Sequence, residues 1–335
     1  MSTLCLVTGA NGHLGNTLVR ALLARGDKVR AGVRNLDNRA SFEGLACELV
    51  YAELQDKVAM RKALEGVDVL YQVAAVFRHW ARDPNAEIIQ PNINGTRLLL
   101  EAAAEAGVRR IVYVSSVAAV GHNGQLLDEA CWNDEASNPY YLSKILSERM
   151  AWKVAQEHDL WMVSVLPSAM IGPNANRLTD TMSFLAAVQG RRVPLDPNFH
   201  FNFVDVRDVA EGMIQAAEKG RSGQRYILAN RYSSPLAVLI DAANHIGPGH
   251  RLPPLAPRWL LLGLAWLQER LARVTGKPAE LLVSQVRLFY GVRQEYSIAK
   301  AQAELGYCPR PPEQALRAAF GYLAVRGTGG VIALI

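Results

Sequence analysis

A glycine-rich turn near the N-terminus constrains the fold of this 335-residue chain more than any other feature. The strand-like run Leu4–Thr8 leads into Thr8-Gly9-Ala10-Asn11-Gly12-His13-Leu14-Gly15, and a helical pattern follows at once. Glycines at this spacing permit a sharp turn, admit a pyrophosphate where a Cβ would block it, and let helix and strand pack closely. The helix N-terminus then presents free amides to the phosphates. The turn predicts a dinucleotide site, with a purely structural turn as the alternative.

Short β-branched runs alternate with longer helical patterns through the first half of the chain. Such runs occupy residues 28–33, 69–73 and 110–115. This alternation is typical of a parallel sheet with helices on both faces. We therefore predict an α/β protein, a Rossmann-type doubly wound parallel sheet with a smaller C-terminal substrate lobe. The predicted parts are a dinucleotide-binding domain over residues 1–166, with returns of the chain near 201–229, a mainly substrate-binding lobe over 167–325, and a tail over 326–335.

Composition and charge favour a cytoplasmic enzyme without a nucleic-acid partner. Half of the residues are hydrophobic, which suits a large buried core. The 36 basic residues and 31 acidic residues are spread along the chain, so they form no concentrated basic patch. The four cysteines lie far apart and predict neither a metal site nor a disulfide framework. The N-terminus carries no export-signal pattern, and the longest apolar stretch, residues 259–267, is too short to span a bilayer.

The end of the second predicted strand indicates which nicotinamide cofactor is preferred. A carboxylate at this position would bind the ribose hydroxyls of NAD, but the chain reads Val33-Arg34-Asn35. Arg34 is suited to hold a 2′-phosphate, and Arg39 is a second candidate. We therefore expect NADP as cofactor, with NAD as the alternative. An ordinary solvated arginine is the competing interpretation of Arg34, since Asp37 lies close in the sequence.

A tyrosine and a lysine are spaced for proton transfer. Tyr140 and Lys144 lie four residues apart in a helical pattern, so both side chains project from one face. A phenol has a pKa of about 10 and is a poor base, and a neighbouring ammonium would lower that pKa. Ser116 ends a predicted strand, where it could hold a substrate oxygen. Tyr296 and Lys300 repeat the spacing without such a serine, and we assign them to a surface helix face.

With these residues the chain resembles the extended short-chain dehydrogenase/reductase family, which shares the TGxxGxxG turn and the YxxxK pair. Its closest similarity is to the branch of dihydroflavonol reductases and 3β-hydroxysteroid dehydrogenases. The resemblance implies that Ser116, Tyr140 and Lys144 form the catalytic group, and that Asn92 organises a proton-relay water. It also implies a homodimer through the helices that follow Asn94 and Tyr140. The cofactor-binding residues it implies are Thr8, Gly9, Asn11, Gly12, His13, Leu14, Gly15, Arg34, Ala74, Ala75, Tyr140, Lys144, Pro167 and Ser168.

Three functions are compatible with this site. The first is an alcohol–ketone oxidoreductase for a hydrophobic, sterol-like or polycyclic substrate, because aromatic and apolar residues are expected to cover the site. Those residues, with lobe core as their competing role, are Phe77, Trp80, Met170, Phe184, Trp259 and Trp266. The second is a sugar-nucleotide epimerase or dehydratase with a tightly bound cofactor, whose substrate diphosphate would need cations such as Arg177, Arg191, Arg192 and Arg207. The third is a non-catalytic cofactor-binding regulator, which the intact Ser116, Tyr140 and Lys144 disfavour.

Residues 257–275 form an amphipathic helical pattern of unusual composition. Tryptophans and leucines recur at helical spacing, and Arg258, Arg270 and Arg273 flank them. One hypothesis is a peripheral contact with a membrane. The competing interpretation is a helix buried in the lobe or at a subunit contact.

Overall fold

The structure is a computed structural model and describes residues 3–77, 80–276 and 279–326. Within these ranges the strands are β1 (Leu4–Thr8), β2 (Lys28–Val33), β3 (Glu48–Tyr51), β4 (Val69–Gln72), β5 (Arg110–Val114), β6 (Leu126–Leu127), β7 (Met162–Pro167), β8 (Ala169–Ile171), β9 (Phe203–Asp205), β10 (Arg225–Leu228) and β11 (Glu295–Tyr296). The α-helices are α1 (His13–Ala24), α2 (Lys57–Leu64), α3 (Gln90–Glu105), α4 (Pro139–Glu157), α5 (Asp180–Gln189), α6 (Val206–Lys219), α7 (Leu236–Asn244), α8 (Arg258–Thr275), α9 (Val283–Phe289), α10 (Ala299–Leu305) and α11 (Pro312–Arg326). The predicted tail lies outside the described residues, apart from Arg326.

Seven parallel strands form the central sheet in the order β10-β7-β5-β4-β1-β2-β3. The chain builds outward from β1 through β2 and β3, and then crosses back to place β4 on the other side of β1. The direction of winding therefore reverses between β1 and β4. In open α/β sheets such a switch point opens a ligand crevice at the carboxyl ends of the strands. The predicted Rossmann-type doubly wound sheet is confirmed.

Apolar layers cover both faces of this sheet. On one face α1 and α6 pack together, and Leu18 and Met213 belong to their shared core. On the other face α2, α3 and α4 bury a second core that includes Met60 and Leu99. Strand β4 is buried along its whole length, as expected for a strand with helices on both sides. The glycine turn therefore connects two elements, β1 and α1, that are both packed in the core.

A smaller lobe stands beside the carboxyl edge of the sheet. Helices α5, α7 and α11 pack around the two-stranded sheet of β8 and β9, with Met182, Leu239 and Phe320 in a separate apolar core. Between these lobe elements the chain returns to the main sheet, where β10 pairs with β7. The lobe is therefore joined to the sheet at several points of the chain.

Helices α8 and α9 form an outer layer of the lobe. They pack on each other through a small core of Ala256, Leu261, Ala265 and Val286. Among the described residues, no helix combines the length and the hydropathy needed to cross a membrane.

The second tyrosine–lysine pair does not lie on a surface helix face, and that prediction is wrong. Tyr296 belongs to β11 and is almost fully buried, and its hydroxyl donates to the carbonyl oxygen of Gly121 at 3.0 Å. Lys300 lies on α10 and donates to the Gln224 side chain at 2.8 Å. The pattern failed because a bridge between β11 and β6 interrupts the helix that the spacing implied.

Candidate active site

The glycine turn, residues 8–15, folds so closely that a side chain would clash at Gly9 and at Gly15. Gly9 has a φ of +62°, and a Cβ there would lie 3.0 Å from the Ala74 Cα. A Cβ on Gly15 would lie 2.3 Å from the Gly9 carbonyl oxygen, which no real Cβ tolerates. The Thr8 hydroxyl accepts hydrogen bonds from the amides of Val73 and Ala74, both at 3.0 Å. The turn and the loop after β4 are therefore held together at the switch point.

Two buried polar atoms beside this crevice have no hydrogen-bond partner within the described structure. They are Nδ1 of His13, on the first turn of α1, and Oγ of Ser168, directly after β7. The other ring nitrogen of His13 lies 2.8 Å from the Pro173 carbonyl oxygen, and burial lowers the pKa of this histidine. Unpartnered buried polar atoms are rare in folded proteins. Together with the closely approached glycines, they fit a bound dinucleotide.

Arg34 lies where a contact with the adenosine end of a dinucleotide is expected. It is exposed and follows directly after β2, whose residue Gly32 accepts a hydrogen bond from the amide of Ala10 in the glycine turn at 3.1 Å. Asp37 is in the same loop, with its amide bonded to the Asn35 side chain. Arg34 and the glycine turn therefore share one edge of the sheet.

Helix α4 begins at a capping residue that positions Tyr140. The Asn138 side chain accepts from the amides of Tyr140 and Tyr141 at 3.0 and 3.3 Å, and Pro139 occupies the first helical position. Tyr140 lies on the first turn, near enough to Ser116 for the serine hydroxyl to lower the pKa of its phenol. Lys144 follows one turn later and is buried. The structure thus brings Ser116 and Tyr140 into contact, with Lys144 next along the helix.

Burial controls the protonation of this pair. It raises the pKa of Tyr140 to about 12, and the hydrogen bond with Ser116 acts in the opposite direction. Burial also lowers the pKa of Lys144 to about 8, against the attraction of Glu148. Desolvation is the largest effect on the phenol, and the expectation that the lysine lowers the phenol pKa stays a prediction.

Sequence reasoning did not identify Glu148, the carboxylate one further turn along α4. Its side chain is fully buried and forms an ion pair with Arg225 of β10, with nitrogen–oxygen distances of 2.9 and 3.1 Å. It also accepts hydrogen bonds from Ser115 at 2.7 Å and Ser164 at 2.9 Å. The carboxylate thereby joins α4 to three neighbouring strands beneath the catalytic residues. Its spacing of four residues from Lys144 was the available signal.

Asn92 of α3 fastens the loop after β4 to helix α4. Its Oδ1 accepts from the Val76 amide at 2.7 Å, and its Nδ2 donates to the Val76 carbonyl at 3.0 Å and to the Ser143 hydroxyl at 2.7 Å. Ser143 is the neighbour of Lys144. The structure therefore gives Asn92 a positioning role, and its part in a proton relay stays a prediction.

Aromatic side chains extend from Tyr140 into the lobe. Phe77 meets the Tyr140 ring edge-on, with centroids 5.0 Å apart. On the other side Tyr141 contacts His122, which stacks on Phe289 at 5.0 Å. The cluster continues through Phe199, Phe201 and Phe184. Of the residues predicted to cover the site, Trp259 and Trp266 do not belong here, because they are 73% and 55% exposed on α8.

Three of the four arginines predicted to hold a substrate diphosphate bind other groups of the protein. Arg207 is paired with the buried carboxylate of Asp205 at 2.7 and 2.9 Å. Arg191 donates to the Pro248 carbonyl and Arg192 to the Ala186 carbonyl. Their hydrogen-bonding capacity is directed at the protein itself, which weakens the epimerase hypothesis.

Replacing Lys144 with methionine is expected to stabilise the fold while impairing the enzyme. The lysine pKa is lowered from 10.5 to about 8, so below pH 8 the folded protein carries the full penalty of a buried charge. That penalty declines as the pH rises from 8 to 10.5. Lys144→Met should therefore raise the free energy of unfolding by up to about 3 kcal/mol at pH 7 and by little above pH 10.5, measured by urea denaturation.

The matched control is Lys153→Met, since Lys153 lies on the same helix with its side chain 65% exposed. Its substitution should leave the unfolding free energy nearly unchanged at every pH. A stability gain for Lys144→Met that does not vary with pH would contradict the buried-charge explanation.

A glycine turn that admits no Cβ at Gly9 or Gly15, at the switch point of a parallel sheet, suits a ligand that carries phosphates. A phenol close to a serine hydroxyl, with an ammonium one turn along the helix, suits proton transfer next to that ligand. Fold and site together define an NAD(P)-dependent enzyme.

The sequence comparisons narrow this class to a family. Residues 5–229 match the model of the NAD dependent epimerase/dehydratase family, so the chain belongs to that family. Sterol demethylase protein B of Methylococcus capsulatus is 34% identical over 330 residues, 96% of this chain and 98% of that protein. A putative dihydroflavonol 4-reductase of Synechocystis is 33% identical, over 94% of this chain and 93% of that protein.

A solved structure agrees with these relatives. The crystal structure of gox2253 superposes with a TM-score of 0.83 at 32% identity, covering 98% of this chain and 99% of that chain. The resemblance to the extended short-chain dehydrogenase/reductase family, in its dihydroflavonol reductase branch, is thereby confirmed. The chain is an NAD(P)-dependent enzyme of that type.

Proposed function

We propose that this protein is an NADP(H)-preferring oxidoreductase that interconverts a secondary alcohol and a ketone on a hydrophobic, sterol-like or polycyclic substrate. The observation that carries this proposal is the aromatic cluster adjoining Tyr140, which runs through Phe77 on one side and His122 and Phe289 on the other. Aromatic side chains of this kind favour flat apolar substrates. Two relatives are named as a sterol demethylase protein and a putative dihydroflavonol 4-reductase, and both names are consistent with polycyclic substrates.

In the reductive direction the substrate carbonyl is held where Ser116 and Tyr140 meet. A nicotinamide cofactor held at the glycine turn would supply the hydride. Tyr140 transfers its hydroxyl proton to the developing alkoxide, because its raised pKa keeps the phenol protonated until that oxygen becomes basic. Lys144 stabilises the phenolate that remains, and the proton is then replaced from solvent. In oxidation the same groups act in reverse, with the phenolate as the base.

A substrate screen tests the proposal. Purified protein is incubated with NADPH and sterol ketones, smaller polycyclic ketones or nucleotide sugars, while the absorbance of NADPH is followed. We expect steady consumption with at least one hydrophobic ketone and none with nucleotide sugars. Conversion of a nucleotide sugar without net consumption of NADPH would instead identify the alternative, an epimerase or dehydratase with a tightly bound cofactor.

Arg34→Ala is expected to remove the preference for NADPH. A charge-assisted hydrogen bond to a 2′-phosphate contributes about 1.5–3 kcal/mol, so the ratio of NADPH to NADH affinity should fall by about 10- to 100-fold. NADH affinity should hardly change, because NADH lacks that phosphate. Titrations that follow quenching of protein fluorescence measure both dissociation constants.

Arg109→Ala is the control for this change in charge. Arg109 is 80% exposed and precedes β5, so it lies at the opposite edge of the sheet. It should leave both affinities unaltered at matched ionic strength. Equal affinities of the unsubstituted protein for NADPH and NADH would overturn the NADP preference.

We also propose a homodimer assembled through α3 and α4, and a cytoplasmic location. The two helices pack side by side on one face of the sheet, and each carries part of the site, Asn92 on α3 and Tyr140 on α4. Cys5, Cys47, Cys131 and Cys308 are all thiols, which suits a reducing compartment. A monomer in sedimentation equilibrium would refute the first proposal, and recovery from an exported fraction of cells would refute the second.

A further inference from the structure

Helix α8 is apolar on the side that faces solvent. Its inner side packs against α9 through Leu261 and Ala265. Five large apolar side chains on the opposite side form what we call the outer apolar face: Trp259, Trp266, Leu267, Leu271 and Val274, which are 73%, 55%, 49%, 53% and 83% exposed. Their spacing places them on one side of the helix. Isolated exposed apolar residues are ordinary, but a contiguous set marks an interaction surface.

The charges around this face are basic. Arg258, Arg270 and Arg273 are exposed on α8, and the Arg270 guanidinium lies 5.3 Å from the centre of the Trp266 ring. The helix sequence contains one acidic residue, Glu269, whose carboxylate accepts a hydrogen bond from the Val283 amide at 2.8 Å. Tryptophan and leucine flanked by arginine are the composition of helices that lie in the interface of anionic bilayers.

We propose that the outer apolar face of α8 docks on an anionic membrane surface. The helix then lies in the interfacial plane, with its tryptophans in the headgroup region and its arginines on lipid phosphates. A second copy of this chain fits the face less well. In a two-fold antiparallel pairing of α8, Arg258 of each copy would approach Arg273 of the other, and like charges would meet.

The position of α8 links the outer apolar face to the active site. This part of the inference rests on the proposed function. Helix α9, which carries Phe289, lies against the inner side of α8. Phe199 packs against the small core between α8 and α9 and also contacts Phe289, with ring centroids 5.7 Å apart. One layer of side chains therefore separates the membrane-facing helix from the aromatic cluster beside Tyr140. A substrate dissolved in the bilayer would approach the aromatic cluster from this side.

Vesicle flotation with the full chain tests the docking surface. The protein is mixed with vesicles of phosphatidylcholine alone, or of phosphatidylcholine with phosphatidylserine. We expect flotation with the anionic vesicles that is reduced by salt, and little with the neutral ones. Trp259→Ser and Trp266→Ser should each weaken binding about tenfold or more, and Arg270→Gln and Arg273→Gln about fivefold each.

Val58→Ser and Arg109→Gln are the matched controls, since both residues are about as exposed but lie on the sheet domain. They should bind as the unsubstituted protein does. Protein that stays in solution with anionic vesicles, or tryptophan variants that bind unchanged, would overturn the proposal. If the tryptophan variants instead shift a dimer to a monomer in sedimentation, the face is an interface between copies and the membrane proposal fails.

The assay also separates this inference from the proposed function. Turnover of a water-soluble ketone should be the same in the Trp259→Ser, Trp266→Ser double variant and the unsubstituted protein, whereas turnover of a vesicle-borne ketone should fall with binding. Flotation with anionic vesicles but no turnover of any ketone would support the docking surface and contradict the proposed oxidoreductase function. If variants that bind vesicles weakly turn over the vesicle-borne ketone as fast as the unsubstituted protein does, the proposed entry route is rejected.

Discussion

Tyr140→Phe is expected to lower the turnover number by about 10²- to 10⁴-fold, the range in which a positioned acid or base contributes. The phenol is half-buried near Ser116, and the proposed function makes it the group that gives up a proton. Phenylalanine keeps the ring contact with Phe77 and removes only the hydroxyl. The affinity for NADPH should therefore be nearly unchanged. Steady-state assays and cofactor titration measure the two effects separately.

The chain supplies a matched control in Tyr296→Phe. Tyr296 has the same spacing to a lysine and is more deeply buried than Tyr140, and its hydroxyl donates to the Gly121 carbonyl oxygen. This variant should lose about 1 kcal/mol of stability and keep its turnover. A Tyr140→Phe protein with undiminished turnover would contradict the proton-transfer role. It would favour the hypothesis of a non-catalytic cofactor-binding regulator.

The second large effect is expected at Arg225. Arg225→Met removes the partner of a carboxylate, Glu148, that has no exposure to solvent. Breaking a buried ion pair on one side costs about 3–5 kcal/mol, because the remaining charge is left uncompensated. That is a large part of the 5–15 kcal/mol that roughly bounds the stability of a domain. Urea denaturation at neutral pH should show the loss directly.

A double variant tests this explanation. Combining Arg225→Met with Glu148→Gln removes both charges and keeps hydrogen-bonding capacity toward Ser115 and Ser164, so most of the stability should return. Arg97→Met is the control, because the Arg97–Glu101 pair lies on the surface of α3 and contributes about 0.3–0.5 kcal/mol. A double variant as unstable as Arg225→Met alone would contradict the role of the uncompensated charge.

The glycine turn was predictable because its constraint is local. Gly15 is required by distances within one strand–turn–helix unit, where a Cβ would meet backbone atoms of Gly9 and Ala10, and Gly9 is favoured by its φ of +62°. The alternation of strands and helices likewise predicted the sheet, and the bounds of β1 and β2 agree with it. The spacing of Tyr140 and Lys144 implied a shared helix face, and Asn138 followed by Pro139 was a start signal for that helix that went unused.

The environment of the site was not predictable in the same way. Tyr296 and Lys300 repeat the catalytic spacing, and only the pairing of β11 with β6 shows that the tyrosine is buried at another place. Trp259 and Trp266 were assigned to the pocket by composition, but the inner side of α8 is occupied by contacts with α9. Hydropathy does not distinguish an apolar residue that faces a pocket from one that faces solvent.

The sequence by itself determined the parallel sheet, the close glycine turn and the shared helix of Tyr140 and Lys144, because each depends on spacing within one or two elements. The tertiary structure decided the rest. It placed Glu148 and Arg225, 77 positions apart, into one buried pair, and it set the protonation of Tyr140 and Lys144. Those properties depend on desolvation and on partners distant in the chain, and no local pattern encodes them.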